Sequence, residues 1–336
     1  MLRTTLALAA AALVALALAL AGAAAGSSSL QQTVTSSGSP LASPPASGSS
    51  SLQQTVTRPT ATAAFPVTVV GSSGPVTVSR RPTRIVSLSP TATETLFAIG
   101  AGPQVVAVDD QSDHPRSAPR TSLSGFTPNV EAIAGYRPDL VVIAYDPKGL
   151  SDALGRLGIT VLHQDGAKSL KGAYQQIRQL GKVTGREARA ARLVAGMKKR
   201  IGAIVSEARR GRQGLSVYHE LDPTLYSATS KTFIGQVYVS LGLENIADAA
   251  DSLGFGYPQL SSEYVVAADP DVIVLADTVC CGQKPSTVAA RPGWDRISAV
   301  RTGSIVRIHD SIASRWGPRL VNFYRAMASA LARLRQ

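Results

Sequence analysis

The sequence predicts two Rossmann-like α/β lobes with parallel-rich sheets, joined by one long rigid α-helix. Three observations carry that expectation. The first is the stretch from Gly185 to Arg210, where Leu193, Met197, Ile201, Ile204 and Ala208 recur at helical spacing, charge fills the gaps and no proline interrupts. Alanine and arginine favour helix, and a helix of that length spans about 37 Å, enough for a strut between two bodies. The second is a repetition on either side of the strut. Glu131-Ala-Ile-Ala-Gly-Tyr-Arg-Pro138-Asp139 runs into an apolar strand, and Glu263-Tyr-Val-Val-Ala-Ala-Asp-Pro270-Asp271 runs into another, with the same glutamate-to-Pro-Asp spacing. The third is the alternation of apolar strand and helix through each half, the pattern of parallel sheets.

Residues 1–25 read as a signal peptide. Arg3 is a minimal charged start, Leu6 to Ala21 is apolar, and Ala21-Gly-Ala23 or Ala23-Ala-Ala25 offers a cleavage site. The apolar run borders on the length that spans a bilayer, so an uncleaved membrane anchor is the alternative. No cysteine lies near this boundary. The expectation is an exported protein, periplasmic or at the extracytoplasmic cell surface, and not a lipoprotein. Residues 26–64 are rich in Ser, Thr and Pro, and the segment from Ser27 to Thr35 returns as Ser49 to Thr57. Such composition buries too little apolar area to fold, so a disordered tether is expected.

The remaining boundaries follow. Residues 65–184 form the N-terminal lobe, 185–212 the connecting helix and 213–336 the C-terminal lobe. Pro66 to Ser79 reads as a hairpin around Gly71-Ser-Ser-Gly74. In the first lobe, strands are expected at Arg84–Pro90, Val105–Val108, Leu140–Ala144 and Thr160–His163. Thr91 with Glu94 fits a capping box and Gly100 a helix stop. In the second, strands are expected at Leu215–Tyr218, Val272–Ala276 and Ser304–Ile308, with helices at Phe233–Leu241 and Pro318–Leu334.

Composition excludes some functions. The formal net charge is +12, but the basic residues are scattered apart from Lys198-Lys199-Arg200 and Arg209-Arg210, and aromatics make up only 5%. No basic motif with interleaved aromatics is present, so no nucleic-acid partner is expected. Nucleophile-elbow, Walker, His-Glu-x-x-His and complete dinucleotide signatures are all absent, so no enzyme is expected. The only cysteines are Cys280 and Cys281. They form either a disulfide between neighbours or a reduced pair, and alone cannot build a zinc site.

Parallel sheets bind ligands at the carboxyl ends of their strands. His163, His219 and His309 stand at or just past such ends, and His114 follows one; Tyr145, Asp146, Glu220, Asp222, Asp310 and Arg315 share these positions. A bare zinc or manganese receptor built on the four histidines is the alternative, and a secreted enzyme or a sensory domain on the same scaffold is a further one.

The segments Arg84-Ile-Val-Ser-Leu-Ser-Pro-Thr-Ala-Thr-Glu94, Asn129-Val-Glu131, Phe233-Ile-Gly235, Leu260-Ser-Ser-Glu263 and Ala313-Ser-Arg-Trp-Gly-Pro-Arg319 together carry a family likeness. From about Phe65 onward, the chain resembles periplasmic substrate-binding proteins of the helical-backbone type, which serve importers of cobalamin, ferric siderophores and haem. The resemblance implies the receptor of an ABC importer, a monomer partnered by a permease dimer and its ATPase. It implies a transported corrinoid or ferric-siderophore ligand, and no cofactor. It also implies that Glu131 and Glu263 pair with arginines of the two permease subunits. Ligand contacts carried over are Asp113, His114, Phe126, Tyr145, His219, Tyr226, Tyr257, Asp310 and Arg315. Cobalamin-binding members line this groove with tryptophan, whereas here Phe126 and Tyr257 stand at comparable places.

Overall fold

The computed structural model describes residues 65–210 and 214–333; the expected signal peptide and tether lie outside the described residues. The chain opens with an antiparallel hairpin, β1 (Val67–Gly71) and β2 (Gly74–Val78). The N-terminal lobe alternates β3 (Ile85–Leu88), α1 (Pro90–Ala98), β4 (Val105–Val108), α2 (Val130–Gly135), β5 (Leu140–Ile143), α3 (Leu150–Arg156), β6 (Thr160–His163) and α4 (Leu170–Val183). The strut, α5, spans Glu187–Ala208. The C-terminal lobe runs β7 (Ser216–Glu220), α6 (Phe233–Leu241), β8 (Glu244–Asn245), α7 (Ser262–Ala268), β9 (Val272–Leu275), α8 (Pro285–Ala289), α9 (Ser298–Arg301), β10 (Ile305–Arg307), α10 (Asp310–Ala313) and α11 (Leu320–Arg333).

The two lobes are built alike. Strand order is β4-β3-β5-β6 in one and β8-β7-β9-β10 in the other, with every pairing parallel. The repeated sequence marks equivalent places. Asn129 and Ser261 cap α2 and α7 by accepting from the backbone N–H groups of Ala132 and Tyr264 at 2.7 and 3.1 Å. Each helix gives way to a left-handed residue before proline, Arg137 at φ 46° and Asp269 at φ 42°, because proline disfavours helical backbone in the residue before it. The aspartate after each proline then ties down the start of the neighbouring strand. Asp139 accepts from the N–H groups of Thr83 and Arg84, and Asp271 from the N–H and hydroxyl of Ser216.

One expected local feature is different. Thr91 and Glu94 do not form a capping box. Ser89 is the N-cap of α1, with Pro90 in its first turn, and Glu94 is buried against the other lobe.

Strand alternation sorts the interior into three cores. Ile85, Leu140, Val142, Val217, Val272 and Val274 face a central core, while their neighbours Val86, Val141 and Ile143 face one outer core and Tyr218, Ile273 and Leu275 another. Ile133 of α2 and Val265 of α7 lie in the outer cores. The central core is common to both lobes, and its axis is α5. Ala190, Val194, Met197, Ile201 and Ala208 are the buried stripe, rotated slightly from the expected one, with Leu193 and Ile204 at its margin. Two helices flank the strut, α4 on one side and α11 on the other. Gly181 of α4 meets Ala190 of α5 so closely that a Cβ there would collide with the alanine methyl. The strut is therefore a beam set into a shared interior.

That arrangement predicts joint unfolding of the lobes. Met197→Ala should cost about 2–5 kcal/mol. Denaturant melts followed by circular dichroism and by tryptophan emission should move together in one transition; a lobe that melts alone would contradict the shared core.

Candidate functional site

Because the helices return antiparallel to the strands, α1, α2 and α4 begin at the carboxyl edge of the N-terminal sheet. The segment after β10 leaves the corresponding edge of the other sheet, and here the lobes meet. Glu94 in α1 is 3% exposed. Its carboxylate accepts from Arg315 Nη1 at 2.8 Å and from Arg319 through Nε at 2.9 Å and Nη2 at 2.5 Å. Arg315 also donates to Asp113 Oδ1 at 2.6 Å and to the Gln111 carbonyl at 2.9 Å, so its guanidinium is spent on the seam. Next to it, the Trp316 indole donates to Gln176 Oε1 at 2.6 Å while the ring meets Phe233 edge-on at 5.7 Å. Gly317 lies against Thr91. Charge-assisted, multiply bonded contacts of this kind are the strong ones.

Several expected ligand residues are thereby placed. Asp113 and Arg315 belong to the interlobe clasp, and the guanidinium beside Asp113 holds its carboxyl below the usual range against the opposing effect of burial. The Asp310 carboxylate accepts from the N–H groups of Val279 and Cys280 at 3.0 and 2.7 Å, so it anchors a loop. His219 sits in the central core, fully buried. Its Nδ1 shares a 2.5 Å hydrogen bond with the Tyr238 hydroxyl, and its ring lies beside Phe323. Burial drives its pKa down to about 3. The reason is strand alternation: residues 217 and 219 share a face, and that face points inward to α6 and α11. His219 is therefore not available as the ligand contact that was expected.

The remaining expected contacts differ in availability. His114 is exposed, and Phe126, Tyr145, Tyr226 and Tyr257 are half-buried in loops at the carboxyl edges. Tyr257 packs against the central core, and burial pushes its hydroxyl up to about 12. The histidines are dispersed. His163 bonds Ser73 and pairs with Asp165, while His309 caps α10 by accepting from Ser311 N–H. Among the described residues, no group of three or more His, Cys, Asp or Glu converges to hold a metal ion, which removes the geometric basis of the four-histidine alternative.

A second buried cluster lies at the edge of the C-terminal sheet. Glu220, at the end of β7, receives a bidentate pair of hydrogen bonds from Arg291 at 2.6 and 2.7 Å. Asp277, just past β9, is fully buried, and neither carboxylate oxygen has a partner. Burial first, and Glu220 second, raise its pKa to about 8. In the other lobe, Asp109 after β4 is pushed up to about 7, chiefly by burial. Arg291, Asp277, Glu94 and Arg319 were not singled out from sequence as site residues. The signal for Glu94 and Arg319 was their place in segments that carried the likeness; Asp277 follows the expected end of β9 by one residue.

Glu131 and Glu263 stand in the first turns of α2 and α7, both exposed. They occupy matching places on the two lobes, on the sheet faces turned away from α5. For Glu263, the N-terminal backbone N–H and the Ser261 hydroxyl hold the pKa below its usual value, as helix N-termini favour negative charge. Cys280 and Cys281 are joined by a disulfide.

A model of the periplasmic binding protein family matches residues 85–312. An uncharacterized ABC transporter substrate-binding lipoprotein of Bacillus subtilis is 32% identical over 269 residues, covering 77% of this chain and 83% of its own length. A cobalamin-binding protein of Halobacterium salinarum is 32% identical over 276 residues, covering 77% and 72%. Among solved structures, a periplasmic heme-binding protein of Roseiflexus superposes with a TM-score of 0.67 at 25% identity, over 76% of this chain and all of its own.

Two outcomes follow from this geometry. Glu94→Ala strands Arg319 and part of Arg315 in a dry seam, and should cost about 3–5 kcal/mol in a denaturant titration. Asp277 and Asp109 keep protons when folded that the unfolded chain releases near pH 4, so their contribution to stability is lost as pH rises toward 7 and 8. Asp277→Asn should therefore shrink the drop in melting temperature between about pH 5 and about pH 8 by several degrees.

Proposed function

The chain belongs to the periplasmic binding protein family, and on that footing we propose that it is the extracytoplasmic substrate-binding component of an ABC importer that captures a metal chelate between its lobes and delivers it to the permease. The observation that supports this reading is the pair of like parallel sheets joined by α5 and a shared core and clasped by Glu94 between Arg315 and Arg319. A cleft between lobes so joined would keep its width, which suits a bulky, rigid ligand better than a small one that must be enclosed.

Corrinoid is the favoured chelate, with a ferric siderophore as the other reading carried from sequence. A cobalamin-binding relative and a heme-binding neighbour of like fold support a flat metal macrocycle. His114, Phe126, Tyr145, Tyr226 and Tyr257 would line its faces and edges, since aromatic rings offer large apolar area with a polar tip. The protein acts as a monomer, and its partners are the permease dimer and its ATPase. No chemistry on the ligand is required.

Glu131 and Glu263 would be the docking pair. One exposed carboxylate on each lobe, at matching places in the repeated unit, would meet two basic sockets of a symmetric permease. Such pairs favour orientation and encounter rate.

The test has two parts. Absorbance and calorimetric titration with cyanocobalamin, hemin and a ferric hydroxamate should give saturable one-to-one binding of one class with no turnover. Glu131→Lys and Glu263→Lys should leave that affinity within about twofold, since both side chains lie outside the gap, while uptake by cells carrying the cognate permease falls at least about tenfold. Equal loss of affinity would place the two glutamates in the ligand site instead.

A further inference from the structure

The loop that follows β9 is held unusually firmly for an exposed segment. Asp310 accepts from the N–H groups of Val279 and Cys280, and from the Thr278 hydroxyl at 3.2 Å. The Asp277 carbonyl accepts from the N–H groups of Cys281 and Gln283, both at 3.3 Å. At the far end, the Gln283 side chain is bound by Arg291 Nη2 at 3.1 Å and by the Thr287 hydroxyl at 2.8 Å. Arg291 in turn is locked to buried Glu220. Almost all of these bonds use main chain or flanking side chains. Val279, 61% exposed, and Cys280 are left facing water, with Cys281 partly covered.

A disulfide between neighbours is an odd choice for stability. It closes so short a loop that little chain entropy is removed from the unfolded state. Its effect is local: it fixes the backbone of two residues and presents two polarizable sulfurs beside a valine. Rigidly held apolar groups that face solvent are characteristic of binding surfaces. The ridge also lies beside the junction of the lobes. It stands at the carboxyl edge of the C-terminal sheet, bonded to Asp310, while the next residue, Ser311, reaches Asp113 of the other lobe at 3.4 Å.

We propose that Val279, Cys280 and Cys281 form a ligand-contacting ridge, in which the disulfide holds a sulfur-rich apolar surface against the face of the chelate bound between the lobes. The inference rests on the proposed function and adds a contact that the aromatic loop residues do not supply. Sulfur packs well on conjugated rings, and the Asp310 and Arg291 anchors supply the stiffness that an exposed loop otherwise lacks.

The test compares wild-type protein with Cys280→Ser/Cys281→Ser and with Val279→Ser, which keeps the disulfide. The probes are cyanocobalamin, hemin and a ferric hydroxamate. Binding is read by calorimetry, and the amides of residues 278–283 by hydrogen exchange with and without probe. For the probe that wild-type protein binds, the double variant should lose about tenfold in affinity and Val279→Ser a smaller amount. Those amides should slow in exchange when that probe is added. Unchanged affinity in both variants, with no added protection, overturns the ridge while leaving the receptor reading intact. Wild-type protein that binds none of the three overturns the receptor reading, and the ridge with it. A double variant that fails to fold, seen by circular dichroism, leaves Val279→Ser and the exchange measurement to decide.

Discussion

A single carboxylate is the constraint on which the interlobe geometry depends. Glu94 is removed from water and shared by two guanidiniums that come from the other lobe. Taking such ions out of water is costly, and the cost is offset only while every partner stays in place. Opening the lobes would strand an anion on one side and two cations on the other, so the seam resists being drawn apart. The shared central core acts in the same direction, because the apolar stripe of α5 packs against α4 and α11 in one cluster that also takes in strand residues of both lobes. Charge pins the seam near the gap, and apolar packing secures it along the strut. The outer layers, α2 with α3 and α7 to α9, have separate cores.

The same division sets where the repeated glutamates lie. Outer-face helices α2 and α7 carry Glu131 and Glu263 to equivalent positions, and each ends in a left-handed residue followed by Pro-Asp. The faces turned to α5 carry no exposed chemistry, since they are spent on joining the lobes. Position along a strand decides whether a residue reaches the gap; its parity decides which core it enters.

That distinction explains what could be read from the amino-acid sequence. Strands, the strut and the doubled unit were legible, because periodicity and the Pro-Asp spacing are local signals. β8 was not, being two residues long, and neither were α8 and α9, whose few turns leave almost no pattern. His219 was misplaced because its position near a strand end was counted while its face was not; the alternation with Val217 turns it inward. Glu94 fitted a capping box by spacing, but the partners that bury it lie more than two hundred residues away in Arg315 and Arg319. Asp310 and Arg315 stand in the segment that follows β10, and their charges are already satisfied within the protein, a fact that only three-dimensional pairing reveals.

Trp316 lies on this seam, its indole bonded to Gln176 in one lobe and its ring against Phe233 in the other. The sequence contains one other tryptophan, Trp294, and it is sealed in the outer core of the C-terminal lobe. The molecule thus carries a natural optical gauge at its joint and an internal standard remote from it. Any slackening between the halves registers in the emission of one indole and leaves the other unchanged.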